Sequence, residues 1–409
     1  MGPLDGVRVL ELGNFIAAPT AGRLLGDFGA DVVKVERPGS GDELRRWRLH
    51  AGDTSLLFRT LGRNKRSVTA DLRTPEGQDI VRKLAARSDV LLENFRPGTL
   101  EKWGIGPDVL RAANPRLVVV RISGYGQTGP YRDRPGFGGV AEAVGGLRAL
   151  TGEPGRAPTR VGISLADSVA GLYAVIGALL GLLSRACEDG KDGKNGENGE
   201  NGEDVDVALY EAVYSLMESL VPDYEAFDVV RAPSGASLPG VAPSNTYRCL
   251  DGKYVVISGN GDAIFRRLMA VIERGDLAAD PSLADNAGRV RHVARLDAAI
   301  AAWAAERTQE EAEAALVAAG VPCGPILTAE EIAKDPHFAA RGMHERHAVR
   351  IGPGDHREVA FPGIVPKLAH RPGRTRALGP DLGEHTAEVL AELGYGAPAI
   401  AELRTKGVI

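Results

Sequence analysis

Apolar positions in the first half of the chain fall into two kinds of run. Short, nearly unbroken runs at Val7–Leu12, Asp31–Glu36 (DVVKVE), Asp89–Glu93 (DVLLE) and Leu117–Ile122 (LVVVRI) predict strands. DVLLE and LVVVRI are nearly continuous apolar runs, which predicts strands covered on both faces. Helical spacing recurs between them: Ala17–Phe28 sets Leu24, Leu25 and Phe28 on one side, Pro75–Ala86 opens with proline, and Pro107–Ala113 gives a weaker helix. Strands alternating with helices predict βαβ units and an α/β fold with a mostly parallel sheet. Ser168–Ala186 reads as a long apolar helix, followed by a strand at Val205–Leu209 and a helix at Tyr210–Leu220. The unbroken part of the apolar helix, Val169–Leu183, is about fifteen residues and falls short of a membrane span.

Three breaks in the pattern organise the chain. Residues 188–204 are glycine and charge with no sustained apolar run, which predicts a solvated low-complexity surface loop without chemistry of its own. Proline and glycine thicken through Ala232–Pro243, and a new strand (Lys253–Ser258) with alanine-rich helices (Leu296–Ala305, Gln309–Ala319) follows. The expected division is a large domain at 1–227, a smaller α/β domain at 228–330, and a segment at 331–409 that returns to the large domain and ends in a helix at His385–Leu393. Asn64-Lys65-Arg66-Ser67 reads as a polar turn.

Composition narrows the function. The 409 residues are 44% hydrophobic and 25% charged, a soluble globular balance, with a net charge of −5 that gives no basic excess for nucleic acid. Cys187, Cys249 and Cys323 are far apart and form no CxxC, which fits a reducing, cytoplasmic setting. The N-terminus lacks the basic and apolar regions of a signal peptide, so none is expected, and with the apolar helix too short for a span no membrane partner is expected. No GxxxxGK[ST], HExxH or GxSxG occurs, and neither Gly13–Pro19 nor Gly259-Asn260-Gly261 completes a GxGxxG. His344 and His347 have no acidic cluster beside them and read as surface residues.

Basic residues recur at the predicted strand ends, where open α/β sheets bind ligands. Arg37 follows the second strand, Arg73 follows the polar turn, and Asn94-Phe95-Arg96 with Lys102 follow DVLLE. Such cations suit a phosphorylated ligand and Phe95 suits a base, although each residue alone also fits a solvated surface. Asp167 opens the long apolar helix. As an N-cap it needs no function; as an ionised carboxylate held at a helix start it is also a candidate nucleophile for acyl transfer.

These pieces, in order, resemble the class III (CaiB/BaiF) CoA-transferases, which include formyl-CoA:oxalate and carnitine-type enzymes. The resemblance rests on LDGVRVLELG, GADVVKVERPGSGD, NKRS, ENFRPGTLEKWG, NPRLVVVRISGYGQTGPYRDRPGF, the Asp167 segment, GVPCGPILTAEEIAKDPHFAARGM and LGEHTAEVLAELGY. It implies a Rossmann-like large domain, a smaller domain, and two chains interlocked as a homodimer. It implies that the aspartate matching Asp167 attacks an acyl-CoA thioester, giving a mixed anhydride and then an aspartyl-CoA thioester that passes CoA to a free carboxylic acid. Coenzyme A is then a substrate, and no metal or redox cofactor is needed. By the same resemblance, CoA contacts fall on Ile16, Ala17, Arg37, Ala70, Asp71, Leu72, Arg73, Asn94, Phe95, Arg96, Lys102, Pro135, Gly136 and Phe137.

The chain departs from the family at two places. Members often carry tyrosine and an acid where this chain has Phe137 and Gly138, so a second catalytic carboxylate is in doubt. The glycine-rich loop of the formyl-CoA type is reduced to Gly259-Asn260-Gly261, which argues against oxalate. Acyl-CoA racemases of the same fold pair their aspartate with a histidine, and Ser123–Asp167 contains none; two-base proton exchange needs that second base. A racemase or a non-catalytic CoA-binding protein are the alternatives. Succinyl-CoA is a common donor in the family. One of Arg45, Arg46 and Arg48 after the second strand, Arg46 foremost, is a candidate partner for the far carboxylate of a dicarboxylic acid, against the alternative of a plain surface basic patch; Gly259 and Gly261 are further candidate substrate contacts.

Overall fold

A computed structural model describes residues 2–189, 202–352 and 354–409. Most of the expected low-complexity loop, residues 190–201, lies outside them. The chain divides into two units. The first comprises Met1–Arg148, Val161–Asp228 and Ala340–Ile409, and the second Ala149–Arg160 and Val229–Ala339. Relative to the expected boundaries, 149–160 and 331–339 group with the smaller unit.

The first unit is built on a six-stranded sheet. Its strands are β1 (Arg8–Glu11), β2 (Asp31–Glu36), β3 (Lys65–Thr69), β4 (Val90–Glu93), β5 (Val118–Ser123) and β6 (Asp204–Ala208). They lie in the order β3-β2-β1-β4-β5-β6, and every pair is parallel. This is a doubly wound order with its reversal between β1 and β4, the position where such sheets open a ligand crevice at their carboxyl ends. Val90, Leu91 and Leu92 of β4 and Val118–Val120 of β5 are fully buried, as their unbroken apolar pattern predicts.

β3 corrects the sequence reading of 64–67 as a turn. KRSVT carries two cations and a serine, yet Lys65 and Ser67 are buried. Lys65 Nζ pairs with Glu11 at 2.7 Å and Ser67 Oγ donates to Glu36 at 2.6 Å. Arg66 forks onto Asp31 of β2. Ion pairs and hydrogen bonds to neighbouring strands replace the apolar pattern as the reason the segment pairs.

Helix α1 (Ala17–Asp27) follows β1, and helix α2 (Leu165–Asp189) packs along α1 and β5. Ala166, Ala170, Ala174 and Ala178 form the buried row of α2. A Cβ on Gly171 would lie 2.9 Å from the Ala17 carbonyl oxygen, so glycine there lets the two helix starts approach. The helix runs beyond the apolar stretch expected from sequence, and its Leu165–Ala186 part is long and apolar enough to cross a membrane by length and composition alone. Its alanine row gives it instead a packed face within this fold.

The second unit holds an antiparallel sheet of Ser244–Arg248, Tyr254–Ser258 and Cys323–Pro325. Helices 262–271, 293–305 and 309–318 pack on it around Leu268, Leu296, Ile300 and Leu316. Gly259 and Gly261 lie in the turn after its central strand. The fully buried Arg289 holds that turn, donating to the Asn260 carbonyl at 2.8 Å and to Asp262 at 2.7 Å.

Candidate active site

The loops after β1, β4 and β5 enclose a cavity of about 250 Å3 at the carboxyl edge of the sheet. Asn14, Phe15 and Ala17 line it from β1, Asn94–Pro97 from β4, and Ser123, Gly124, Arg132, Arg134, Gly136 and Phe137 from β5. Asp167 enters it from α2. That helix begins at Leu165, so Asp167 sits in its first turn rather than capping it, still within reach of the favourable end of the helix dipole. No histidine is among the residues lining this cavity. A second cavity of about 240 Å3 shares Asn14 and Phe95 with the first and is lined by Arg37, Ala70, Asp71, Leu72, Arg73 and Trp103.

The structure therefore brings together most of the residues singled out in the sequence. Ala17, Asn94, Phe95, Arg96, Gly136, Phe137 and Asp167 meet in the first cavity, and Arg37 with 70–73 in the second. Ile16 is different: its side chain is buried with Leu44, Phe58 and Leu61. Lys102 is exposed at the end of a short helix, and neither it nor Pro135 lines these cavities. Arg46 is exposed and donates to the Ser40 carbonyl at 3.2 Å, outside the Asp167 cavity. Arg45 is spent on a buried fork to Glu36, with both contacts at 2.7 Å. Gly259 and Gly261 belong to the second unit. Arg132, Arg134 and Phe15 were missed; the arginines stood in the RDRPGF motif, next to positions that were named.

The cavity floor is rigidly held. Phe15 has φ +62, a left-handed backbone costly for a bulky residue. Its N–H donates to Asp42 Oδ1 at 3.0 Å, and the Asn14 N–H donates to Asn94 Oδ1 at 2.8 Å. Asn94 Nδ2 donates back to the Asn14 carbonyl at 2.7 Å, so its amide clamps the β1 loop. Lys34 reaches the Gly13 carbonyl and pairs with Glu11 and Asp42, both at 2.9 Å. Burial works to lower the Lys34 ammonium, but Asp42, Glu11 and Glu36 outweigh it and raise it. Lys65 has fewer opposing charges, and burial pushes it down to about 8. Phe15 also packs on Trp47 and edge-on against Phe137, with ring centroids 5.5 and 5.8 Å away.

Gly138 explains the absent acid. A Cβ at this position would lie 2.0 Å from Asp167 Oδ2. The space a side chain would need is taken by the Asp167 carboxylate.

Glu93 ends β4 beneath the same loop. It accepts from Arg121 Nε at 2.8 Å and from the Phe95 N–H at 2.7 Å. Burial pushes its carboxyl up to about 7, against the pull of Arg121. An unfolded glutamate titrates near about 4.3, so the folded state binds this proton more tightly. That contribution to stability is complete below the unfolded value and is lost as pH rises through the folded one. Glu93→Gln is thus expected to gain stability relative to wild type between about pH 4.5 and 7, with a constant difference above that. Urea unfolding of both proteins at acid, neutral and mildly alkaline pH measures it, and a difference independent of pH contradicts it.

Comparison with known proteins agrees with this geometry. The family model for CoA-transferase family III matches residues 4–386. The chain belongs to that family, and it is a CoA-transferase. The succinyl-CoA–D-citramalate CoA-transferase of Chloroflexus aurantiacus is 46% identical over 409 residues, covering 100% of this chain and 98% of that protein. The succinate–glutarate CoA-transferase of Agrobacterium fabrum is 34% identical and covers 96% of each chain. The crystal structure of a CaiB/BaiF family protein from Brucella suis superposes with a TM-score of 0.81 at 35% identity, covering 96% of this chain and 99% of that one.

Proposed function

We propose that the protein moves CoA from succinyl-CoA to a second small dicarboxylic acid, with Asp167 as the nucleophile. The observation that carries this reading is the Asp167 carboxylate in the cavity at the point where the strand order reverses. An Asp167 oxygen attacks the thioester carbonyl and expels CoA thiolate, leaving a succinyl–aspartyl anhydride. The thiolate attacks the aspartyl carbonyl and releases succinate, leaving an aspartyl-CoA thioester. The acceptor carboxylate attacks that thioester, and the returning thiolate takes the new acyl group and frees Asp167. Every step is acyl transfer without change of oxidation state, so neither a redox group nor a metal is required.

In this reading the second cavity takes the nucleotide end of CoA. Arg37 and Arg73 supply charge for phosphates, and Phe95 and Trp103, 5.2 Å apart, supply an apolar wall for the base. The shared residues Asn14 and Phe95 lead the pantetheine arm toward Asp167. A second copy of the chain covers α2: Leu172, Ile176, Leu180 and Leu183 recur at helical spacing and are each about half exposed or more. Cys249 and Cys323 are free thiols, which supports a reducing cytoplasm.

The test is exchange between a panel of acyl-CoAs and free carboxylic acids, read by mass spectrometry. New dicarboxylyl-CoA that requires both succinyl-CoA and the free acid is expected. No new ester from any pair, or only deuterium uptake at the α-carbon, overturns the reading. Gly138→Ala probes the same carboxylate from the other side. The added methyl must displace Asp167, and turnover should fall about a hundredfold while CoA affinity and the circular dichroism spectrum are kept. Full turnover in that variant contradicts the placement.

A further inference from the structure

The Asp167 cavity holds more positive charge than a CoA thioester and one carboxylate explain. Asp167 is the one carboxylate among its described lining residues, against Arg96, Arg132 and Arg134. Arg132 makes a 3.4 Å contact with its exposed neighbour Asp133, and its charge also reaches the Glu101 carboxylate. Arg134 has no carboxylate partner among the described residues and lies over the Tyr131 ring, its Cζ 3.4 Å from the centroid.

That stack is braced. Tyr131 meets Tyr125 edge-on with centroids 5.9 Å apart, and Tyr125 meets Tyr210 at the same distance. The loop carrying the arginines is pinned at both ends. Gly126 N–H donates to Ser123 Oγ at 2.9 Å and Gln127 N–H to Asp206 at 2.8 Å. At the far end a Cβ on Gly136 would lie 3.2 Å from Tyr125 Cε2 and 3.3 Å from the Gly124 Cα, so glycine there eases a tight closure of the loop. Arg134 is exposed, and the Tyr131 ring beneath it is what orients its planar donor fork.

We propose that Arg134, assisted by Arg132, is the specificity-determining cation that receives the far carboxylate of the dicarboxylic acid whose near carboxylate reacts at Asp167. The inference rests on the functional reading above and assigns its acid selectivity to the loop after β5, in place of the Arg46 expected from sequence. The fork matches a carboxylate bidentately, and its charge offsets the repulsion between Asp167 and an incoming dianion. A CoA phosphate is the other anion the fork could take, and the experiment separates the two.

With succinyl-CoA as donor, kcat/KM is measured for glutarate and for valerate, acids of equal length differing by one carboxylate. Free-CoA binding is measured alongside by calorimetry. In Arg134→Gln the glutarate-to-valerate ratio is expected to fall about ten- to a hundredfold, the loss for one charge-assisted pair, with CoA affinity kept. Arg134→Lys restores part of the ratio by returning the charge without the fork. An unchanged ratio in a folded Arg134→Gln overturns the proposal, as does a loss that tracks weakened CoA binding. Wild-type protein that transfers CoA equally well to both acids overturns it while leaving the transferase mechanism standing; no transfer to any acid overturns both.

Discussion

Asp167→Asn is expected to lose at least about a thousandfold in turnover while still binding CoA. The amide has the shape of the carboxylate and fits the space beside Gly138, where the structure leaves no room for a larger group. It cannot attack a thioester, because its nitrogen lone pair is delocalised and it carries no charge. The residues lining the cavity provide no replacement: they include no histidine, cysteine or second carboxylate, so residual activity has no obvious route. Steady-state exchange and CoA binding on the same preparation separate chemistry from affinity. Wild-type turnover in this variant removes Asp167 from the mechanism.

Asp27→Ala is expected to destabilise the first unit by about 3–5 kcal/mol, the cost of leaving a buried charge without its partner. Asp27 ends α1 and accepts both arms of Arg63, at 2.8 and 2.6 Å, and the Asn64 amide at 2.9 Å. Both side chains of the Asp27–Arg63 pair are fully buried. Arg63 also donates to the Pro362 carbonyl and Asn64 to the Arg374 carbonyl, so the cluster ties the segment before β3 to the returning C-terminal chain. Asp31→Ala is the control. Its partner Arg66 is partly exposed and keeps Glu392, so the loss should stay within about 1 kcal/mol. Urea midpoints for both variants test the contrast, and equal shifts contradict it.

Hydrophobic pattern carried the fold where burial alone decides pairing. β4 and β5 could be read because their runs are apolar on both faces, and β1 and β2 because valine and leucine dominate theirs despite Glu11, Lys34 and Glu36. β3 could not, because its cations are neutralised by Glu11, Asp31 and Glu392, residues that only the folded chain brings near. The return of 149–160 to the smaller unit has no local signature either. Asp167 was legible as the acid at the start of an apolar helix and through its family resemblance. The choice among neighbouring arginines was not: Arg45 is consumed by Glu36, Arg46 donates to the Ser40 carbonyl outside the cavity, and Arg132 and Arg134, likewise exposed, are the ones that line it. Spacing cannot tell a side chain that points into the core from one beside it that lines a site, as Ile16 and Ala17 illustrate. Gly138 could be read only as a missing acid; the structure makes it the space the Asp167 carboxylate needs.

The most direct test of the mechanism is to trap its covalent state. Protein turning over succinyl-CoA is quenched with hydroxylamine, which cleaves an aspartyl-CoA thioester to a hydroxamate, and the peptides are mapped by mass spectrometry. Hydroxamate on Asp167, formed only when succinyl-CoA is present and absent from Asp167→Asn, is the expected result. A preparation that exchanges CoA yet carries no label on Asp167, or carries it on another residue, contradicts Asp167 as the nucleophile.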